Sequence, residues 1–181
     1  MIIALSGKGA SGKSTVAKLL AKKLNLRHYS IGDLMRELAS SKSISLLELN
    51  RLAETDPSID AWLDKKQQEL GRQDNFIIDS RLAFKFIPHA IKIFLDVNDK
   101  EAARRIFSAP PRQGEQPYAS VKDAIQALVK RRNSEIKRLK KYYHVNPYDK
   151  KHYDIVIDTT NLTPKQIGNA ILHFLQTKVY K

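Results

Sequence analysis

Residues 7–14 have the types and spacing needed to bind phosphate groups. They match the pattern G-x-x-x-x-G-K-[ST], in the order Gly7, Lys8, Gly9, Ala10, Ser11, Gly12, Lys13 and Ser14. Glycines let backbone N–H groups turn inward around phosphate oxygens, and the helix that follows adds its positive N-terminal end. A lysine at this position reaches the β- and γ-phosphates, and a hydroxyl ligates Mg²⁺. This stretch, with Thr15 next to it, predicts a nucleotide phosphate site.

Three further groups of residues could act with this loop. Asp79 ends the apolar run Phe76–Asp79, where Mg²⁺-bound waters need an anion, and Arg81 follows two residues later. Arg36 comes four residues after Gly32, which suits a phosphate contact. The third group has the spacing i, i+4 and i+7, which places its members on one helical face. It consists of Arg131, Glu135 and Arg138.

The elements that must position these side chains are short apolar runs alternating with amphipathic helices. Such alternation predicts an α/β fold in which a parallel five-stranded sheet carries helices on both faces. The predicted strands are residues 2–6, 27–30, 76–79, 91–95 and 155–157. Ser45 with Glu48 and Asp56 with Pro57 predict helix starts, and residues 120–143 form a long basic helix. Within that helix we expect Val121, Ile125 and Leu128 to face inward. On an earlier helix we expect Trp62 to pack in the core or between domains rather than to stack on a base.

Composition limits the function further. The 181 residues contain no cysteine, which excludes disulfides, thiolate metal sites and thiol nucleophiles. No apolar run approaches the ~20 residues that cross a bilayer, so we expect a soluble, cytoplasmic protein without a membrane partner. The net charge of +13 suggests a polyanionic partner such as nucleic acid or nucleotide phosphates. Residues 130–151 hold nine basic and two acidic side chains, whereas residues 33–79 hold ten acidic and six basic ones.

Several motifs resemble the cytidylate kinases of the nucleoside monophosphate kinase family, most of all the archaeal type. The segment Ser30–Arg36, the run Phe76–Arg81 with the strand that follows it, and the arginine–glutamate–arginine helix ahead of tyrosines carry this resemblance. Two positions depart from the bacterial pattern of Asp-Gly-Arg-Asp, because Ser80 replaces its glycine and Leu82 its second aspartate. That second aspartate approaches the sugar in the bacterial enzymes, so its replacement weakens any inference about a preference for ribose or deoxyribose nucleotides.

The resemblance implies a P-loop kinase that transfers the γ-phosphate of ATP to CMP, and also to dCMP, with Mg²⁺. It implies one domain over residues 1–181, acting as a monomer, with an acceptor-binding insert at about 33–72 and a lid at about 108–119. The core would then be about 1–32, 73–107 and 120–181. Implied catalytic residues are Lys13, Arg81, Arg105 and Arg112. Implied substrate-binding residues are Gly32, Arg36, Asp79, Arg81, Arg131, Glu135 and Arg138, and the metal would bind Ser14 directly and Asp79 through water.

Three alternatives stay open from the residues alone. The acceptor could be AMP or another monophosphate, the chain could be an RNA-associated P-loop ATPase, or it could be a nucleotide-binding regulator without catalysis. The intact Lys13, Ser14, Asp79 and Arg81 argue against the regulator. We interpret Tyr142, Tyr143 and Tyr148 as aromatics that close the long helix onto the core, with a nucleic-acid surface as the alternative. Nucleic acid is not required for the predicted activity, although the basic surface could bind it weakly.

Overall fold

A computed structural model describes residues 1–110 and 117–179, and it contains one parallel five-stranded sheet with helices on both faces. The predicted fold class is confirmed. The strands are β1 (Ile2–Gly7), β2 (Arg27–Ser30), β3 (Phe76–Asp79), β4 (Ile91–Asp96) and β5 (Ile155–Asp158). The helices are α1 (Lys13–Leu24), α2 (Ile31–Ser41), α3 (Leu46–Leu52), α4 (Pro57–Leu70), α5 (Ala83–Phe86), α6 (Asp99–Ser108), α7 (Val121–Tyr143) and α8 (Pro164–Val179).

The strand order β2-β3-β1-β4-β5 places β1 at the centre of the sheet. The β1 strand pairs with β3 so that Leu5 lies opposite Asp79, and with β4 so that Gly7 lies opposite Leu95. Both neighbours are reached by crossover connections, so the chain leaves the carboxyl edge of β1 at a switch point of the topology. Ligands of open parallel sheets bind in the crevice at such a point. This topology brings the phosphate loop after β1 next to the end of β3.

Alternate side chains of β1 enter two separate parts of the core, as expected for a strand buried on both faces. Ile3 and Leu5 pack with Val16 and Leu20 of α1 and with residues of α8. On the opposite face, the cluster consists of Ile2, Ala4, Phe76, Ile78, Ala83, Ile87 and Ala90. These two layers hold the central strands rigidly beneath the loops at their carboxyl ends.

Helices α2, α3 and α4 share a hydrophobic cluster of their own, which includes Met35, Leu49, Ile59 and Leu63. The predicted helix starts are confirmed, since Ser45 and Glu48 form a reciprocal capping box and Asp56 caps α4 ahead of its first-turn proline. The three helices cover residues 31–70, close to the predicted insert of 33–72. The division of the chain into core, insert and lid stays a prediction.

Two helices add detail to the sequence-based expectation. In α7, Val121, Ile125 and Leu128 are partly buried, and the most deeply buried residues are Ala124, Glu135 and Leu139. Trp62, expected to pack in the core or between domains, is 37% exposed. At ~100° per residue, position 62 lies about 100° from Leu63 and about 140° from Gln67 around α4, away from the centre of the inward face, so part of the indole is exposed. No helix in the described part of the chain is long and apolar enough to cross a membrane.

Candidate active site

The phosphate loop joins β1 to α1 and needs glycine at its first position. Gly7 has φ +145°, and a Cβ there would lie 2.1 Å from the carbonyl oxygen of Leu95. The loop is braced by the Ser11 hydroxyl, which donates to the Lys8 carbonyl at 2.9 Å. Helix α1 has no side-chain cap and no acid in its first turn. Its free backbone N–H groups and positive end therefore favour an anion at the loop.

Lys13 is the cation of this loop. Its Nζ donates to the carbonyl of Lys8 at 2.7 Å, so the side chain folds back over the loop. Burial, followed by the nearby Arg81 guanidinium, lowers the pKa of Lys13 to about 7. A lysine in this state has few compensating charges, and an anion bound in the loop would stabilise its protonated form.

Ser14 and Asp79 supply oxygens that suit Mg²⁺. The Ser14 hydroxyl donates to the Asp79 carboxylate at 2.8 Å, which joins the start of α1 to the end of β3. Mg²⁺ prefers oxygen ligands and commonly binds one or two protein oxygens together with phosphates and waters. This donor set fits that mode. Within residues 1–110 and 117–179, no group of three or more His, Cys, Asp or Glu side chains could hold a metal by itself.

Glu135 of α7 is buried and organises two arginines. One carboxylate oxygen accepts from Arg81 Nε at 2.9 Å and from the Tyr148 hydroxyl at 2.5 Å. The other accepts from Arg131 Nε at 3.3 Å. Burial alone would raise the pKa of Glu135, but the guanidiniums of Arg81 and Arg131 hold it well below its usual range. Arg81 also donates to the Gly7 carbonyl, which connects this network to the phosphate loop.

Helix α4 presents polar side chains opposite those of α7. Asp60, Asp64 and Gln67 line the cleft, with the same i, i+4, i+7 spacing as the predicted triplet of α7. Asp60 Oδ2 lies 3.5 Å from Arg138 Nε. The Tyr143 hydroxyl donates to Asp64 at 2.5 Å. Burial raises the pKa of Asp60 and raises that of Asp64 to about 6.

Arg36 and Gly32 lie at the start of α2, at the side of the same cleft. The Arg36 guanidinium pairs with Asp33 and is mostly buried. A Cβ on Gly32 would lie 3.6 Å from that guanidinium, within ordinary van der Waals contact. The Asp33 backbone N–H is in turn capped by the Ser30 hydroxyl at 3.2 Å. This local hydrogen bonding holds Arg36 beside the cleft.

Arg105 of α6 is bound to backbone carbonyls rather than free in the cleft. Its guanidinium donates to Thr159 at 2.6 Å, to Thr160 at 3.1 Å and to Ala10 of the phosphate loop at 3.3 Å. It also pairs with Glu101 at 2.9 Å. Arg105 therefore bridges the phosphate loop and the turn after β5.

The predicted site residues gather around one cleft of about 900 Å³, at the upper end of the ~300–1,000 Å³ range of ligand pockets. Those lining it are Gly9, Ala10, Gly12, Lys13, Ser14, Thr15, Gly32, Arg36, Asp79, Arg81, Arg105, Arg131, Glu135 and Arg138. Lys8 turns away from it, with Nζ 2.8 Å from Asp96 and 3.1 Å from the Val97 carbonyl. Its backbone, not its side chain, is part of the loop. Arg112 lies outside the described residues.

Sequence reasoning did not select Asp60, Asp64 or Gln67 as site residues. A signal was available, because these polar residues alternate with Ile59 and Leu63 on the inward side of α4. Polar residues on the apolar face of an amphipathic helix are an informative exception to the pattern. Tyr148 was interpreted as a closing aromatic, and its hydroxyl does reach Glu135.

The chain is similar in sequence to a family of known kinases. A family model described as "Cytidylate kinase-like family" matches residues 2–161. A cytidylate kinase of Methanocella arvoryzae is 38% identical over 172 residues, covering 94% of this chain and 94% of that protein. A cytidylate kinase of Sulfurisphaera tokodaii is 34% identical, covering 100% of this chain and 98% of its own.

A solved structure with much lower sequence identity has the same fold. Shikimate kinase from Bacteroides thetaiotaomicron superposes with a TM-score of 0.66 at 15% identity, covering 100% of this chain and 99% of that one. At that identity the likeness concerns the P-loop kinase fold alone. With the relatives above, it identifies a phosphotransferase enzyme. The chain belongs to the cytidylate kinase-like family.

Proposed function

We propose that this nucleoside monophosphate kinase transfers the γ-phosphoryl group of ATP to CMP, and also to dCMP, giving ADP and CDP or dCDP. A single observation supports this most directly: the phosphate loop and a cluster of arginines from other elements line one cleft. A phosphoryl-transfer enzyme needs both a donor site and an acceptor site, with the two phosphates facing each other. Relatives named cytidylate kinase support cytosine as the acceptor base.

On the donor side, backbone N–H groups of residues 7–12 would hold the ATP phosphates, aided by Lys13 and by Thr15 next to the loop. Ser14 would ligate Mg²⁺ directly and Asp79 through water, in keeping with their hydrogen bond. When bound, the metal ion neutralises charge on the β- and γ-phosphate oxygens. Arg105, which touches the loop at Ala10, is within reach of these phosphates. Arg112 of the predicted lid is the remaining candidate for stabilising the transferring group.

On the acceptor side, Arg36, Arg81 and Arg131 would bind the CMP phosphate, beside Gly32. Glu135 would take part by holding Arg81 and Arg131 in position, since both its oxygens already accept from donors. An oxygen of the CMP phosphate attacks the γ-phosphorus of ATP, and the bond from that phosphorus to the bridging oxygen breaks, leaving ADP. The nucleophile is already an anion, so positioning and charge stabilisation carry the catalysis.

A panel of monophosphates tests the proposal. With ATP and Mg²⁺, ADP release should depend on an added monophosphate and have its highest kcat/KM with CMP, followed by dCMP. Lys13→Ala should lower kcat at least ~100-fold, because one preorganised contact to the transferring group is lost. Lys22→Ala, an exposed change on the same helix, is the matched control.

Three outcomes would contradict the proposal. ADP release that needs no monophosphate and rises on adding RNA would indicate an RNA-associated ATPase. A higher kcat/KM for AMP than for CMP would mean that AMP, not CMP, is the preferred phosphate acceptor. Near-normal turnover in folded Lys13→Ala would remove the phosphate loop from the mechanism.

A further inference from the structure

Tyr148 lies on the segment that follows α7, and its hydroxyl enters the network around Glu135. The hydroxyl donates to a carboxylate oxygen of Glu135 at 2.5 Å, and the same oxygen accepts from Arg81 Nε at 2.9 Å. Among the described residues, those that line the cleft include Glu135 and Arg81 but not Tyr148. Tyr148 therefore acts on the cleft through these two residues rather than by touching a nucleotide.

The ring of Tyr148 makes a second contact with Arg81. The guanidinium carbon lies 5.5 Å from the ring centroid, a distance at which an aromatic face attracts a cation. The ring also packs edge to face with Phe94, with centroids 6.3 Å apart. Phe94 is a fully buried residue of β4. Tyr148 thus links the guanidinium of Arg81 to a rigid strand of the sheet.

These contacts fix the orientation of the Arg81 guanidinium, which carries five N–H donors in one plane. Nε donates to Glu135, and Nη1 donates to the Gly7 carbonyl of the phosphate loop. In the described part of the chain, the hydrogen bonds of this group leave the N–H donors of Nη2 unpaired. Because Arg81 lines the cleft, these donors are available to phosphate oxygens bound there.

The hydroxyl of Tyr148 is one of two close contacts that hold the Glu135 carboxylate in place. The third donor, Arg131 Nε, is 3.3 Å away on a side chain that is 49% exposed, so it restrains Glu135 less. Burial raises the pKa of Tyr148, so the hydroxyl stays protonated and remains a donor at neutral pH. Without it, the carboxylate is free to turn toward Arg131 and away from Arg81.

We propose that Tyr148 is a positioning residue for phosphoryl transfer, which keeps Arg81 oriented toward the phosphates through Glu135 and through its own ring. This inference rests on the proposed function, because it takes Arg81 as a group that binds the reacting phosphates. Catalysis by positioning is sensitive to small displacements of a charged group. A positioning role therefore predicts a loss of kcat that depends on the presence of Arg81.

Tyr148→Phe removes the hydroxyl and keeps the ring. We expect kcat to fall at least about tenfold, with the KM values for ATP and CMP within about threefold, since the lost precision matters most in the transition state. Tyr153→Phe is the matched control, because the hydroxyl of this largely buried tyrosine donates to the Pro147 carbonyl at 2.5 Å and not to Glu135. It should lower stability without the loss of kcat.

A double-mutant cycle separates positioning from a general loss of stability. In an Arg81→Ala background, Tyr148→Phe should change kcat less than about twofold, because no guanidinium is left to position. A tenfold loss of kcat in both backgrounds overturns the inference, since the hydroxyl then acts independently of Arg81. An unchanged kcat in folded Tyr148→Phe, with only a lower urea midpoint, also overturns it by making the hydrogen bond purely structural.

Glu135→Gln decides the matter if Tyr148→Phe does not fold. It keeps the shape of the side chain but removes the charge that orients Arg81, so kcat should fall at least about tenfold. Near-normal turnover in the folded variant overturns the inference.

The choice of acceptor keeps this inference separate from the proposed function. All rates are measured with the monophosphate that gives the wild type its highest kcat/KM. An acceptor other than CMP then changes the proposed function and leaves the role of Tyr148 standing, whereas a normal wild type with an unaffected Tyr148→Phe overturns that role alone. A wild type that turns over no monophosphate overturns both.

Discussion

Lys13 illustrates how a single side chain is prepared for an anion. Burial, followed by the adjacent Arg81 guanidinium, lowers its pKa to about 7. Protonation of Lys13 therefore costs free energy when no anion is bound in the loop. Phosphate oxygens would offset that cost, so the positive charge of Lys13 forms fully only when the nucleotide binds.

Nucleotide binding should therefore be accompanied by proton uptake. At about pH 8 most of Lys13 is neutral in the free protein, and bound phosphates raise its pKa, so uptake should approach one proton per site. At about pH 6 Lys13 is already protonated, and its contribution should be small. Calorimetry of ADP and Mg²⁺ binding in buffers of different ionisation enthalpy measures this uptake. The same uptake in Lys13→Met as in the wild type would contradict the assignment.

Arg36 and Arg81 should behave differently, although both are proposed to bind the acceptor phosphate. Arg36 contacts only its own helix among the hydrogen bonds described, whereas Arg81 also donates to Gly7 of the phosphate loop. Arg36→Ala should raise the KM for CMP about tenfold or more, the equivalent of one charge-assisted contact, with ATP affinity within a fewfold. Arg81→Ala should weaken the binding of both CMP and ATP.

The KM for CMP from steady-state kinetics and the Kd for ATP from direct titration, measured in both variants, test these two expectations. A loss of ATP affinity in Arg36→Ala with normal CMP kinetics would mean that the donor and acceptor sites must be exchanged. If Arg81→Ala changed the CMP kinetics but not the ATP affinity, its hydrogen bond to Gly7 would not contribute to ATP binding by the phosphate loop.

At the scale of elements, the cleft depends on how α4 faces α7. Asp64 and Tyr143 link the two helices directly, and the Tyr142 hydroxyl donates to the Glu54 carbonyl at 3.0 Å, in the turn before α4. These contacts join a helix of the acceptor side to the long basic helix. The position of Asp60 relative to Arg138 follows from this packing.

The Asp64–Tyr143 link should give stability a specific pH dependence. Burial raises the pKa of Asp64 from 3.8 to about 6, so between these values the folded protein binds more protons than the unfolded chain. The free energy of unfolding should then fall as pH rises through this window and level off above about pH 6. Asp64→Asn lacks this contribution, so its stability relative to the wild type should increase with pH.

Urea unfolding of both proteins at several pH values between about 4 and 8 measures this difference. Other carboxylates titrate in both proteins, so the comparison isolates Asp64. A stability difference that does not vary with pH would show that the carboxyl is not perturbed by its burial.

For the whole molecule, charge is distributed so that the two sides of the cleft complement each other. The segment 130–151, which includes most of α7, is strongly basic, and the segment 33–79 on the other side is acidic. Asp60 and Arg138 meet across this boundary. The net charge of +13 also attracts anionic nucleotides, an effect that weakens as salt screens it.

The sequence by itself determined the features that arise from local interactions. The phosphate loop, the Ser45–Glu48 capping box and the buried runs of β1 and β3 each depend on residues close together in the chain. Alternation of such runs with helices was sufficient for the parallel sheet, because parallel strands need crossovers and bury both faces. The proximity of Asp79 to the loop also followed from this topology.

Only the tertiary structure decided which polar groups meet. Glu135 and Arg81 are 54 residues apart, and Asp64 and Tyr143 are 79 apart. Periodicity shows that Arg131, Glu135 and Arg138 share a face, but not what that face opposes. The rotation and separation of α4 and α7 depend on the packing of their apolar side chains. That packing buries Glu135 among three donors, brings Asp60 and Arg138 together as an ion pair, and leaves Trp62 partly exposed.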